Sequence, residues 1–437
     1  MSDHAHHVVV VGGGFGGLAC VNALKKSGAR ITLIDQRNHH LFQPLLYQVA
    51  TTILPTSDIA WPLRRILRHR KDVKTLMAKV VDVDPAQKSV TLDDGQVIAF
   101  DSLVLATGAQ HSYFGNDQWC ATAPGLKTLE DAITIRRRVL SAFEQAEVCD
   151  DAEKRRALQT YVIVGGGPTG VELAGIIGDL SQRVLPKEFR NVDTQKTRIL
   201  LIEGAPRILG SFPQRLSDYA QKALERLGVE VMTDSIVQNC EQDGVTVGET
   251  FIPAKTVIWA AGVKASAAGS WIDAATDNAN RVEVEPDLSV KEHPDIYVIG
   301  DTAAVYDTNG DTVPGIAPAA KQMGKYAAMV ITAKIKARRV PKPFRYWHAG
   351  NLATIGPGSA VADFGSIRLR GMLAWWVWGL AHIYFLIDTR SRIVVALSWL
   401  WSYFSGLNSA RLITHHPHAS APSVADGTRD PYRADRE

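Results

Sequence analysis

Two stretches of this chain carry the same glycine spacing after the same kind of apolar run. Val8 to Val11 leads into Gly12, Gly14 and Gly17; Tyr161 to Val164 leads into Gly165, Gly167 and Gly170. In each, Gly-x-Gly-x-x-Gly falls where a buried strand ends and a helix begins. The first glycine permits the tight turn, the second lets a pyrophosphate approach the backbone, and the third lets helix pack closely on strand. The free N–H groups and the positive end of the helix dipole then face the phosphates. One such match says little. Two in one chain imply two dinucleotides held side by side, where electrons can pass between them.

Each motif has an acidic partner. Asp35 ends ARITLID, 23 positions after Gly12, where a ribose-binding carboxylate belongs; Glu203 ends RILLIE, 38 positions after Gly165. The longer interval fits a polar insertion around Leu185 to Lys196. A carboxylate at Glu203 accepts hydrogen bonds from ribose hydroxyls and repels an added phosphate, so NADH is favoured over NADPH. The closing strands SLVLATG (Ser102 to Gly108) and TVIWAAG (Thr256 to Gly262) match as the glycine turns do, so a whole nucleotide-binding plan is duplicated. Between these landmarks the pattern predicts helices over Leu18 to Lys26, Ile59 to His69 and Gln214 to Leu227, and a hairpin near Gly244. DIYVIGD, ending at Gly300-Asp301, reads as a strand that returns to the first unit after the second is complete.

The expected fold is α/β, with two Rossmann-like domains, the first split around the second. It occupies 1–117 and 276–330, and the inserted domain 118–275. A helical membrane-anchoring region takes 331–413, and 414–437 is a polar, disordered tail in which His415, His416 and His418 need no metal. At 437 residues and a formal charge of +3, nothing argues for a nucleic-acid partner. Four cysteines without a Cys-x-x-Cys exclude a disulfide scaffold and a thiol relay, and no metal site is expected. MSDHAHH runs directly into the first strand, so no signal or transit peptide is expected.

These residues resemble the two-dinucleotide-binding-domain flavoprotein reductases, and among them type II NADH dehydrogenase, the single-subunit NADH:quinone oxidoreductase. The resemblance spans about His7 to Ile413. It is most specific at NHHLFQPLLYQVA (Asn38 to Ala50), VIGD, APAAKQMG (Ala317 to Gly324) and GNLATIGPGSAVADF (Gly350 to Phe364). It implies non-covalent FAD held by Gly12, Gly14, Phe15, Gly17, Asp35, Gln43, Ala106, Thr107, Gly108, Gly300 and Asp301. NADH, as substrate, would meet Gly165, Gly167, Thr169, Gly170, Glu203, Ala261 and Gly262. Glu172 would lie near the reacting rings and assist proton delivery, with Lys321 and Gln322 beside the flavin. One position departs: Ala317-Pro318 stands where the family often carries Ala-Gln, which leaves the quinone type and its placement open. Hydride transfer between stacked rings needs alignment more than a protein acid–base triad.

Five of the ten tryptophans fall between Gly371 and Phe404, in two nearly uncharged runs, Gly371 to Ile387 and Ile393 to Gly406, with arginines at their flanks. At 17 and 14 residues both runs are short for an ~30 Å hydrocarbon core. A membrane-crossing hairpin and a buried hairpin compete with a monotopic anchor lying in the interface; the aromatic content and arginines favour the anchor. The nucleotide sites are then expected to be complete before about Tyr326 and the lipid contacts to begin after Arg368. The resulting expectation is a peripheral enzyme on the cytoplasmic face of a bacterial-type inner membrane, passing electrons from NADH through FAD to quinone without pumping protons. A homodimer stays open. The rival readings are a soluble reductase of a ferredoxin-type protein and a redox-sensing flavoprotein.

Overall fold

The computed structural model describes residues 5–307, 310–405 and 410–413. His4 and the tail at 414–437, with its three histidines, lie outside the described residues. The chain opens with β1 (His7–Val11), the helix α1 (Phe15–Ala23) and β2 (Arg30–Asp35), followed by β3 (Val73–Met77) and β4 (Ser102–Leu105). All pair in parallel, β1 between β2 and β4 and β3 outside β2. Such strands, covered on both faces, are continuous apolar runs rather than alternating ones, and Val8, Val9 and Val10 are fully buried.

A short helix α2 (Leu46–Ala50) and the long α3 (Leu129–Glu147) bridge to the second unit, which repeats the plan: β5 (Thr160–Val164), α4 (Pro168–Asp179), β6 (Arg198–Ile202), α5 (Gln214–Glu225), β7 (Val229–Met232) and β8 (Thr256–Trp259). The repetition extends to register. Val11 pairs with Ile34 and Leu105 in the first sheet, and Val164 with Ile202 and Trp259 in the second. β9 (His293–Val298) then returns to lie parallel to β4, and Ser289–Val290 closes that edge antiparallel, giving six strands. Next comes α6 (Ala317–Ile335), laid against α1 so closely that a side chain at Gly324 would collide with the Gly16 carbonyl.

The last segment holds a small antiparallel sheet that the sequence pattern did not announce: β10 (Asn351–Gly356), β11 (Ser359–Asp363) and β12 (Arg368–Arg370). The helices α7 (Gly371–Phe385) and α8 (Thr389–Ser405) follow. Two local expectations need correction. The basic stretch Ile59 to His69 is helical only over Leu63–Ile66, because Ala60–Pro62 pairs with His39–Leu41 and Pro62 fits only the helix entrance. The first helix starts at Phe15, earlier than Leu18, because Gly14 itself caps it; Leu24–Lys26 continues as a 3-10 turn.

Candidate functional site

The two glycine turns are the same object built twice. Gly12 and Gly165 hold φ of +105° and +108°, in the region open chiefly to glycine. Their N–H groups donate to Ile34 O (2.8 Å) and Ile202 O (2.7 Å). A Cβ on Gly17 would strike the Gly12 carbonyl oxygen, and one on Gly170 the Gly165 carbonyl oxygen. By contrast, Gly14 and Gly167 face open space. Closure without Cβ at the first and third positions, and clearance at the second, is what a docked pyrophosphate requires.

The acids repeat too. Asp35 accepts from Gly13 N–H (2.6 Å) and Arg37 N–H (2.7 Å), and Glu203 from Gly166 N–H (2.6 Å) and Ala205 N–H (2.8 Å). Each carboxylate is held by the main chain at the strand end, with its remaining lone pairs directed to the mouth of the turn.

A cavity of about 1190 Å³ joins the two units. Of the residues the sequence singled out, its wall contains Gly12, Gly14, Phe15, Asp35, Gln43, Ala106, Thr107, Gly108, Gly300, Asp301, Thr169, Glu172 and Lys321. Gly17 lies beneath, as packing. Gly165, Gly167, Gly170, Glu203, Ala261 and Gly262 stay outside this cavity, on the second turn. Gln322 also lies outside: its amide donates to Trp347 O (2.9 Å) and accepts from Trp347 N–H (3.0 Å), which orients it away from the cavity.

Glu172 sits on the first turns of α4 and is only 8 % exposed. Burial drives its carboxyl far above the ordinary value of 4.5, although a main-chain N–H from Thr354 counters in part. The Lys321 ammonium lies 5.0 Å from the Phe15 ring centre and 5.2 Å from that of Phe385. Burial, and then Lys325, lower its pKa.

Several residues at the wall or directly behind it escaped the sequence reading. His40 Nδ1–H donates to Gly13 O (2.9 Å) and buttresses the first turn, and burial pushes its pKa down to about 4. Its motif neighbours were noticed, but nothing local told His40 from His39. His382, inside the first apolar run, lines the cavity with Nδ1–H donating to Trp378 O (2.7 Å); burial again lowers its pKa to about 4. Together with His348 to Leu352, Ala381 and Phe385, it shows that the site is not complete before Tyr326. The C-terminal segment forms part of the wall, so cutting at Gly371 removes cavity as well as anchor. Among the described residues no cluster suits a metal ion.

The tryptophans also divide by face. Trp378 is 2 % exposed and stacks near Trp399, whereas Trp376 is 55 % exposed. Outward with it point Leu373, Leu380, Tyr384, Ile393, Leu397, Leu400 and Trp401. No helix among the described residues is long and apolar enough to cross a membrane. For Tyr403 and Phe404, also counted in the aromatic run, the side chains lie outside what is described.

Twin dinucleotide cradles, with a cavity that runs from the first to the helix of the second, define a two-domain pyridine-nucleotide flavoprotein. The family model for pyridine nucleotide-disulphide oxidoreductases matches residues 6–324, and that for the NDH2 C-terminal domain matches 348–408. The chain is 42 % identical over 425 residues to the type II NADH:quinone oxidoreductase NdhA of Mycobacterium tuberculosis, covering 94 % of this chain and 89 % of the relative. It is 40 % identical over 423 residues to Ndh of the same organism, covering 94 % and 90 %. The solved structure of NDH2 from Plasmodium falciparum in complex with NADH has the same fold, with a TM-score of 0.84 at 20 % identity over 92 % of this chain and 99 % of that one. The chain belongs to the type II NADH:quinone oxidoreductases, FAD enzymes of the pyridine-nucleotide reductase class.

Proposed function

We propose that this chain oxidises NADH at its second cradle, holds FAD non-covalently in its first, and reduces a quinone drawn from a lipid bilayer without moving protons across it. The observation that carries this reading is one cavity lined by the first cradle, by Thr169 and Glu172 from the start of the helix that follows the second glycine turn, and by Ala381, His382 and Phe385 of the aromatic helix α7. The rival ferredoxin-reductase and redox-sensor readings have no such feature in their favour.

FAD, when bound, supplies hydride acceptance and onward electron transfer. The chain supplies placement. Gly12, Gly14 and Gly17 leave room for the pyrophosphate, and Asp35 presents oxygen to a ribose. Thr302 Oγ1, 2.8 Å from the Gly108 N–H and 3.2 Å from Thr107 Oγ1, fixes the closing turn beside Gly300 and Asp301. We assign FAD to 1–117 and 276–330, NADH to 118–275, and lipid contact to 331–413, which also walls the cavity. Glu172, whose burial favours the protonated carboxyl, is a proton store within the cavity, and Lys321 stabilises negative charge formed beside Phe15. The outward apolar face of α7 and α8, with no membrane-crossing helix among the described residues, fits peripheral attachment. The cytoplasmic leaflet of a bacterial-type inner membrane is the surface where NADH and quinone meet.

The test is anaerobic. Purified, membrane-extracted protein bleached by NADH is expected to regain its flavin absorbance within a turnover time after quinone is added. Reoxidation by a ferredoxin-type protein and by no quinone would replace this reading with the reductase alternative; slow reoxidation by every acceptor would favour the sensor.

A further inference from the structure

A line of hydrogen bonds runs from the outer C-terminal helix to the cavity wall. Trp399 on α8 donates its indole N–H to Gln48 Oε1 (2.7 Å), and Gln48 Nε2–H donates to the Tyr47 hydroxyl oxygen (3.0 Å). Gln48 and Tyr47 are buried in α2, and the Trp399 ring lies 5.0 Å from that of Trp378. The direction of the line is fixed at its outer end. An indole nitrogen only donates, so it selects the oxygen of the Gln48 carboxamide and turns the amide nitrogen to Tyr47. The Tyr47 oxygen therefore accepts, and its own proton is left for another partner. Tyr47 lines the cavity, as does Glu172, whose charge bears on it.

We propose that Tyr47 donates a proton to the quinone in this cavity, and that Trp399 is a positioning residue acting on it through Gln48. This rests on the quinone-reductase reading and deepens it. Reducing a quinone to its hydroquinone takes two electrons and two protons. One proton arrives with the electron pair as hydride. The second passes from the Tyr47 hydroxyl to the other quinone oxygen: that O–H bond breaks as the new one forms. The phenolate regains a proton from the Glu172 carboxyl, which water then reprotonates.

Burial makes the phenolate costly, and the Gln48 bond lowers that cost. Loss of that bond therefore slows the step. Besides Glu172 on α4, the ionisable groups that line this cavity from the packed helices include Asp131 on α3, Lys321 on α6 and His382 on α7. His382 stays neutral above its lowered pKa of about 4.

The experiment separates the two half-reactions in the holoenzyme. W399F is expected to leave NADH-dependent flavin bleaching unchanged while slowing reoxidation by a soluble short-chain quinone about tenfold, the effect of one lost hydrogen bond. Q48L should do the same, and Y47F should slow reoxidation about a hundredfold, as for a lost general acid. Because Trp399 acts through Gln48, the double variant should be no slower than Q48L. The ultraviolet resonance Raman tyrosine doublet, taken as wild type minus Y47F, should show an accepted hydrogen bond that W399F and Q48L both weaken. Should W399F lose flavin, Q48M carries the same expectations. Unchanged rate and doublet in W399F, or additive slowing with Q48L, overturns the positioning role; normal reoxidation of Y47F overturns the donor role. If wild-type enzyme bleaches but no quinone reoxidises it, the underlying reading fails instead.

Discussion

The outward face of α7 and α8 can be tested as a lipid-binding surface by replacing Trp376, Leu380 and Leu397 with serine. These side chains are 55 %, 65 % and 60 % exposed. An aromatic side chain carries roughly 150–250 Å², so Trp376 offers on the order of 100 Å² to a lipid phase, worth about 2.5 kcal/mol at ~25 cal/mol per Å². Each leucine, worth about 1.5–3 kcal/mol when fully removed from water, adds about 1–2 kcal/mol at its exposure. The three together reach about 5 kcal/mol on full insertion. Half-insertion at headgroup depth leaves about 2.5 kcal/mol, close to a hundredfold in partitioning. The assay is flotation with anionic vesicles, scored as bound fraction against lipid concentration. NADH-dependent reduction of a water-soluble acceptor should persist, since none of the three lines the cavity. A triple variant that floats like wild type would refute the assignment of this face to lipid. Trp378 and Trp399 are unsuitable targets: both pack inward, and their loss would confuse binding with folding.

Gly14→Ala should preserve the fold, because its side chain meets open space, yet lower the flavin content of purified protein; Gly17→Ala should melt lower with or without flavin, because its Cβ strikes the Gly12 carbonyl. Glu203→Ala should narrow the preference for NADH over NADPH by about tenfold, read from the ratio of the two kcat/KM values, since a bond to ribose and a repulsion disappear together. For Glu172 the folded pKa stands above its unfolded value near 4.5. Its contribution to stability is complete below that value and is lost as pH rises towards the folded pKa. Glu172→Gln should therefore gain in Tm relative to wild type between pH 5 and 8, with the gap widening upward. A constant gap would show that the buried carboxyl does not hold its proton.

The duplicated cradles were legible because backbone geometry demands glycine at fixed places and cannot hide that demand. Gly12 and Gly165, and Gly17 and Gly170, could be matched from spacing, and Asp35 and Glu203 from their place at the end of an apolar strand; the structure gives the two acids equivalent main-chain partners. Contacts made at long range were not legible. His382 reaches the cavity through folding of the C-terminal segment over α4, which no local pattern encodes. Nor could periodicity sort the tryptophans, because α7 is apolar all round: Trp376 and Trp378 are two residues apart, yet one is exposed and the other buried in the core. Gln322 illustrates a third limit: its motif matches, yet its side chain is held by Trp347 outside the cavity.

The C-terminal segment is fastened to both nucleotide units. It grips the first through Trp61 Nε1–H to Ser391 Oγ (2.7 Å) and Trp399 to Gln48. It grips the second through Arg411 and Glu188 (2.6 Å), and through Gly175, where only a missing side chain lets the Ile355 carbonyl lie against α4. A molecule strapped across its own seam has no free hinge there. Separating the two cradles would mean breaking this strap, so heating should dissolve the two units in one cooperative step rather than two.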